Sequence, residues 1–341
     1  MKKKLMRAIS VLLLLALSLT MFTGCSPRNE TVFTVNGEDV TIADVMIHLF
    51  FQKYELFTEQ VSEGNLAIAD LYQLSADMLA TEVGESLTLA DYLRVSSVNS
   101  AMSAELCRQL ALENKLQITD SDKATLKASK ESMIASLGGA AAFNEFLDKT
   151  GTTDNAYDRY MENYLYMGKL SALFGDGQKY AMTTEERAAV QADYQNEYIT
   201  VRQMIFYSIN PSTASALSAD EIAKNKERAE AALARIRNGE SFDVVKMDAD
   251  NPSEEAMTIT QGQTVAPFND AAFALKVGEI SGIVESQYGF HIIIRDELKD
   301  DAYSSYYAAR ISANFQAFVN ERSDEAKVNI DQDVYDAMTI R

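Results

Sequence analysis

The residues from Thr41 to Gln195 include no proline. Proline removes a backbone donor and costs about 3 kcal/mol inside a helix, so a run this long without one favours helices. Thr41-Ile42-Ala43-Asp44 has the form of a capping box, and Val45, Leu49, Phe50 and Tyr54 then recur at helical spacing. Breaks are expected at Glu63-Gly64-Asn65, Thr119-Asp120-Ser121, Gly138-Gly139, Thr150-Gly151 and Gly175-Asp176-Gly177. Between them the stretch reads as almost entirely helical. Ahead of it, Val32–Val35 reads as a short strand closed by the tight-turn pair Asn36-Gly37.

The pattern changes near Tyr198. Ile199 to Phe206 alternates as a strand does, and Ser218-Ala219-Asp220-Glu221 opens a helix that runs to Arg237 and stops at Asn238-Gly239. Asn269 to Leu275 suggests a short helix. Gly282 to Glu285 and His291 to Arg295 are two further strands. From about Ala302 to Lys327 the chain is helical again, with Val328 to Asp331 as a last short strand. The fold class expected is α+β: a discontinuous, mostly helical domain (residues 32–197 and 299–341) with an inserted α+β module over 198–298.

Residues 1–24 read as a cleavable leader and 25–31 as a tether. Lys2, Lys3, Lys4 and Arg7 precede an apolar run, Ile9 to Phe22, too short for the ~20 residues of a spanning helix. Thr23 and Gly24 then lead into Cys25. A diacylated cysteine would supply the two chains that stable anchoring needs. Cys107, the other cysteine, falls in an apolar-rich helical pattern and is read as a buried structural thiol.

The formal charge of −19 argues against nucleic acid, which is held by Lys and Arg that displace counterions. Two His and two Cys leave little material for a metal centre, so neither metal nor cofactor is expected. No G-x-S-x-G, H-E-x-x-H or P-loop is present, which disfavours hydrolase and nucleotide chemistry. His48, near the apolar face of the first helix, is read as structural.

Three ordered segments carry a family resemblance. Ala266-Pro267-Phe268-Asn269-Asp270-Ala271-Ala272-Phe273-Ala274-Leu275 with Lys276-Val277-Gly278-Glu279-Ile280-Ser281 resembles the central signature of parvulin-type peptidyl-prolyl isomerases. Ser286-Gln287-Tyr288-Gly289-Phe290-His291-Ile292-Ile293 is similar to their closing motif, and Asn238-Gly239-Glu240-Ser241-Phe242 to their helix exit. The leader run resembles a bacterial lipoprotein signal cut before Cys25, although Phe22 stands where that pattern usually has Leu. Val35-Asn36-Gly37-Glu38 and the capped helix after it, with weaker matches at Leu116–Asp120 and Glu186–Tyr198, resemble PrsA- and SurA-type extracytoplasmic chaperones.

The resemblance implies a lipid-anchored foldase on the outer face of the cytoplasmic membrane, in a Gram-positive type of envelope. Its partners would be unfolded or partly folded exported polypeptides, with a homodimer left open. It implies that Phe268 packs on the proline ring, that His291 is the closing histidine of a paired-histidine core, and that Ser286 is hydrogen-bonded within that core. Thr264 and Phe273 would border the proline slot. This chain departs from the pattern in three places. Gln203 stands where the first core histidine is expected and Thr264 where a methionine is expected. Asp250 or Asp248 falls in the shortened loop where a Cys or Asp would face the amide. The alternative implied by these departures is a parvulin fold kept as a peptide-binding chaperone with little isomerase activity.

Overall fold

The computed structural model describes residues 28–340 apart from Glu85. The leader run and Cys25 lie outside the described residues. The chain divides into two compact units: one runs to Ala172 and resumes at Ala317, and the other is Leu173–Gln316.

In the first unit, β1 (Thr31–Val35) turns through Asn36 and Gly37, at φ 51° and 93°, into β2 (Glu38–Thr41). A type I′ turn needs φ > 0 at both central residues, which Asn-Gly meets at least cost. Thr41 and Asp44 close the expected capping box on α1 (Ile42–Leu56), whose buried residues run from Ile42 to Phe50 with only the capping Asp44 left out. Helices α2 (Leu89–Glu113) and α3 (Asp120–Ser136) open with the same device, Thr88 with Asp91 and Thr119 with Asp122. Then α4 (Ala140–Thr150) ends on Gly151 at φ 79°, and α5 (Asp154–Ala172) follows. One part of this stretch is not helical as the sequence pattern suggests. A 3-10 turn at Ile68–Tyr72 and a small hairpin, Glu82–Gly84 with Leu87–Thr88, separate α1 from α2, with Ser86 in the left-handed region.

His48 has the structural place expected of it. Its Nδ1 lies 2.9 Å from Ser100 Oγ, and its ring meets Tyr160 edge-on and stacks near Tyr164. Burial pushes its pKa down to about 4. Cys107 is buried on α2, and burial pushes its thiol up to about 11, so it is an inert packing group.

The second unit begins with α6 (Thr184–Glu197), which leads directly into β3 (Tyr198–Tyr207). Next come α7 (Ala219–Arg237), the short α8 (Phe242–Lys246), β4 (Met257–Thr260), α9 (Ala266–Ala274), β5 (Val284–Ser286) and β6 (Gly289–Asp296). The four strands form an antiparallel sheet in the order β4-β3-β6-β5. Alternation along β3 and β6 gives the sheet two apolar faces. Met204, Phe206, Phe290 and Ile292 meet Ala229, Ala232 and Leu233 of α7. Ile199, Val201 and Ile293 meet Phe268, Ala272 and Leu275 at α9.

After α10 (Tyr303–Glu325) comes β7 (Val328–Ile330), which pairs with β1 through Phe33↔Ile330 and is followed by a short helix at Gln332–Ala337. The second unit is wider than residues 198–298 because the helices flanking that segment pack on one another. Tyr194 of α6 meets Tyr303 and Tyr306 of α10 at 5.2 and 5.5 Å between ring centres, and Arg310 pairs with Glu197.

Gly289 fixes how β5 turns into β6. It sits at φ 147°, and a Cβ there would lie 2.2 Å from the Phe206 carbonyl oxygen. Gly262, at φ 79°, has nothing within 4 Å of the same position. Gly289→Ala should therefore destabilise the second unit by more than about 3 kcal/mol, against about 1 kcal/mol for Gly262→Ala, where only backbone strain applies. Urea unfolding of the two variants checks this; equal losses would mean that the turn relaxes around a side chain.

Candidate active site

The pairing of β3 with β6 sets Ile205 opposite His291 and Gln203 opposite Ile293. Gln203 and His291 are thus diagonal neighbours on one face, within reach of each other's polar ends. His291 Nδ1 lies 2.8 Å from Gln203 Oε1, and its Nε2 lies 2.7 Å from Ser286 Oγ on β5. Ser286 Oγ also accepts from Tyr288 N at 3.1 Å. Gln203 Nε2 donates to Glu254 Oε1 at 2.9 Å. The chain of polar contacts therefore runs from the β5–β6 turn across the sheet face to the loop before β4.

That loop replaces a missing strand. β4 pairs with β3 only over Tyr198–Val201, which leaves the rest of the β3 edge open. Asn251 fills it: its Oδ1 accepts from Ile205 N at 2.8 Å, while its Nδ2 donates to Gln203 O and to Glu254 Oε2. Lys246 Nζ donates to the Glu254 carbonyl. Buried backbone groups without partners are costly, so these contacts are what permits a loop here.

Apolar groups complete the site. Phe268 is 4% exposed and sets its ring edge-on to His291, 5.3 Å between centres at 74°. Phe273, Val265, Met257 and Val284, each partly buried, pack on the same cluster. Thr264 stands just ahead of α9, and its Oγ1 is buried without a hydrogen-bond partner among the described residues. A hydroxyl in that condition carries a penalty of about 1–3 kcal/mol.

The structure brings together Gln203, His291 and Ser286, with Phe268 against the histidine. It uses Asp250 otherwise. The Asp250 carboxylate accepts from Tyr207 N at 2.9 Å and pairs with Arg228 at 2.9 Å, while Asp248 pairs with Arg235. No hydrogen bond joins either aspartate to His291 or Gln203 among the described residues. The acid that meets this chain is Glu254, with Asn251 beside it, and neither stands out in the sequence from other loop residues. Asn251-Pro252 was the available signal, since it marks a turn whose Asx side chain can bond to backbone.

A model of the rotamase family, described as a PPIC-type PPIase domain, matches residues 205–297. The second unit thus carries a parvulin-type peptidyl-prolyl isomerase domain, set between helical flanks. Over a longer span the chain is similar to Foldase protein PrsA of Staphylococcus aureus strain bovine RF122 / ET3-1. The two are 25% identical over 225 residues, covering 65% of this chain and 68% of the relative. The same figures hold for Foldase protein PrsA of strain MRSA252. Among solved structures, PrsA from Bacillus subtilis is 17% identical and covers 76% of this chain and 90% of its own, at a TM-score of 0.25. Foldase protein PrsA from Lactococcus lactis is 12% identical and covers 91% and 98%, at a TM-score of 0.36.

Burial pushes the His291 pKa down to about 4, and the nearby Glu254 carboxylate only partly offsets it. The folded value lies below the ordinary 6.5, so folding favours the neutral ring. That contribution is complete above pH 6.5 and is lost as pH falls from 6.5 towards 4; at the full shift it is roughly 3 kcal/mol. The His291 ring resonances should therefore stay in their neutral positions between pH 8 and pH 5. A titration midpoint near 6.5 in the NMR spectrum would show that the ring is not shielded.

Proposed function

We propose that this chain is an extracytoplasmic foldase, held to the membrane through a diacylated Cys25, that isomerises X–Pro bonds in exported polypeptides. One observation carries the catalytic part of the reading: the unbroken Ser286–His291–Gln203–Glu254 chain lying against Phe268 inside the rotamase match. Rotation about a prolyl bond has a barrier of about 18–20 kcal/mol and needs no covalent intermediate. The reaction gains from any site that accepts the twisted amide better than either planar form. Phe268 and Phe273 would hold the proline ring, and Thr264 would border the slot. The polar chain would keep His291 upright as the slot's wall.

Both ring nitrogens of His291 already have partners, so its contribution on this reading is shape and a fixed dipole rather than proton transfer. The rate should accordingly stay level from pH 6 to pH 8.

The client side of the proposal rests on composition and similarity. The chain's 14 Met, with its Tyr and Phe, can supply adaptable apolar contacts for unfolded segments. The helical unit would hold those segments while the isomerase domain works on them. Among the described residues, no helix is long and apolar enough to cross a membrane. Anchoring is assigned to Cys25 on the strength of the leader run and the similarity to PrsA. A Cys25→Ser variant should leave the membrane fraction for the soluble one.

A second reading is favoured by one observation, the unpartnered Thr264 hydroxyl beside the slot. A slot with a costly polar atom is less suited to proline, which would leave the domain a binding platform with little activity. A proline-limited refolding assay and a panel of X–Pro peptides separate the two. On the catalytic reading the chain accelerates isomerisation, and Phe268→Ala lowers kcat/KM at least about tenfold, the scale expected for losing a buried aromatic contact. Thr264→Met should raise activity. No acceleration by the parent chain, with aggregation of an unfolded client still suppressed, would establish the binding platform instead.

A further inference from the structure

The geometry points to Glu254 as a positioning residue that sets the proton order of the whole site, holding His291 as the neutral tautomer with its hydrogen on Nδ1. This rests on the reading of that site given above. An ionised carboxylate only accepts hydrogen bonds. Glu254 Oε1 must therefore face the amide nitrogen of Gln203, as it does at 2.9 Å, and its Oε2 faces the amide of Asn251. That fixes the Gln203 carboxamide, because the opposite orientation would bring two acceptor oxygens together. Gln203 Oε1 is then turned to His291 at 2.8 Å and can only accept, so Nδ1 carries the hydrogen.

The remaining steps follow in the same direction. Nε2 is left as an acceptor and takes the Ser286 hydroxyl hydrogen at 2.7 Å. Ser286 Oγ keeps a lone pair for Tyr288 N, at 3.1 Å. Every donor in the series thus points from the β5–β6 turn towards Glu254. Reversing any one of them would leave a donor facing a donor or an acceptor facing an acceptor, in a place where unmade bonds are costly.

Two consequences are specific to this chain. Gln203 is not merely a smaller substitute for a histidine at that position: a carboxamide oriented by an acid is an acceptor of fixed direction, whereas an imidazole would have two tautomers of its own. Glu254, 51 residues away in sequence from Gln203, becomes a requirement for the site although nothing places it against a client.

The direct test is NMR of the full chain with ¹⁵N-labelled histidine. There are only two histidines, and His48→Gln identifies which signals belong to His291. The wild-type His291 should show a protonated Nδ1 and a bare Nε2 as a single species. Glu254→Gln, which keeps the size but can present either a donor or an acceptor to Gln203, should give a mixture of tautomers and lower kcat/KM by about fivefold, the scale of one hydrogen bond. Asn251→Ser loosens the same loop but leaves Glu254 facing Gln203, and it should keep the Nδ1–H form. A wild-type ring protonated at Nε2 would overturn the assignment, as would a Glu254→Gln ring unchanged from wild type. The wild-type spectrum decides the direction even if a variant folds poorly. Absence of isomerase activity in a wild-type chain with the Nδ1–H form would remove the catalytic reading and leave the proton order standing.

Discussion

The eight-residue antiparallel pairing of β3 with β6 determines where everything else in the isomerase domain can lie. Strand alternation sends Met204, Phe206, Phe290 and Ile292 to α7 and leaves Gln203, Ile205, His291 and Ile293 for the other face. A slip of one residue would turn a strand over, driving its polar residue into the α7 core and its α7-facing apolar residues towards α9. Gly289 sits at the last pair of this register, against the Phe206 carbonyl with no room for a Cβ. The register thus positions Gln203 and His291 and also dictates the glycine three residues after Ser286, where β5 and β6 begin to pair.

That dependence explains why a glutamine can occupy position 203 without breaking the polar chain. The position demands a side chain that accepts from His291 and donates onward, and a carboxamide does both. What changes is the source of direction. The carboxylate of Glu254 supplies it from a loop, and that loop is in turn held on the open edge of β3 by Asn251. Position 264 has no such compensation. Its hydroxyl is buried with no partner among the described residues.

Much of the architecture is legible in the sequence because it rests on local chemistry. The Asn36-Gly37 turn, the Thr41/Asp44 box, the break at Thr119 and the Ser218-capped helix ending at Asn238 all depend on residues within a few positions of each other. Gln203 and His291 lie 88 residues apart, so it is the motif resemblance and not local chemistry that marks them, with Ser286, in the sequence. The elements that escape are those stabilised from a distance. β4 is four residues long, too short for its alternation to stand out; it exists because β3 offers it an edge. The hairpin at 82–88 has only two or three residues per strand, too few for any period to show. Glu254 and Asn251 belong to the same class, since in an acidic chain a further glutamate in a loop looks like solvated surface until its partner 51 residues earlier is in place.

The fate of Asp250 shows the same logic acting against a local reading. The shortened loop after α8 must both cover the β3 edge and pass from the α7 face to the α9 face of the sheet. Asp250 serves the first task, bonding Tyr207 N and locking to Arg228, whose guanidinium also lies 5.0 Å from the centre of the Phe206 ring. A carboxylate fastened to a cation and a backbone amide has little freedom to face a client amide. Glu254, four residues on and past Pro252, is the first acid after the crossing and meets Gln203 through neutral amides. Two acids in one short loop therefore take different roles because they fall on opposite sides of the strand they protect. Which of them reaches the site is set by how many residues the loop needs to turn the edge, and not by which of them sits nearer the motif.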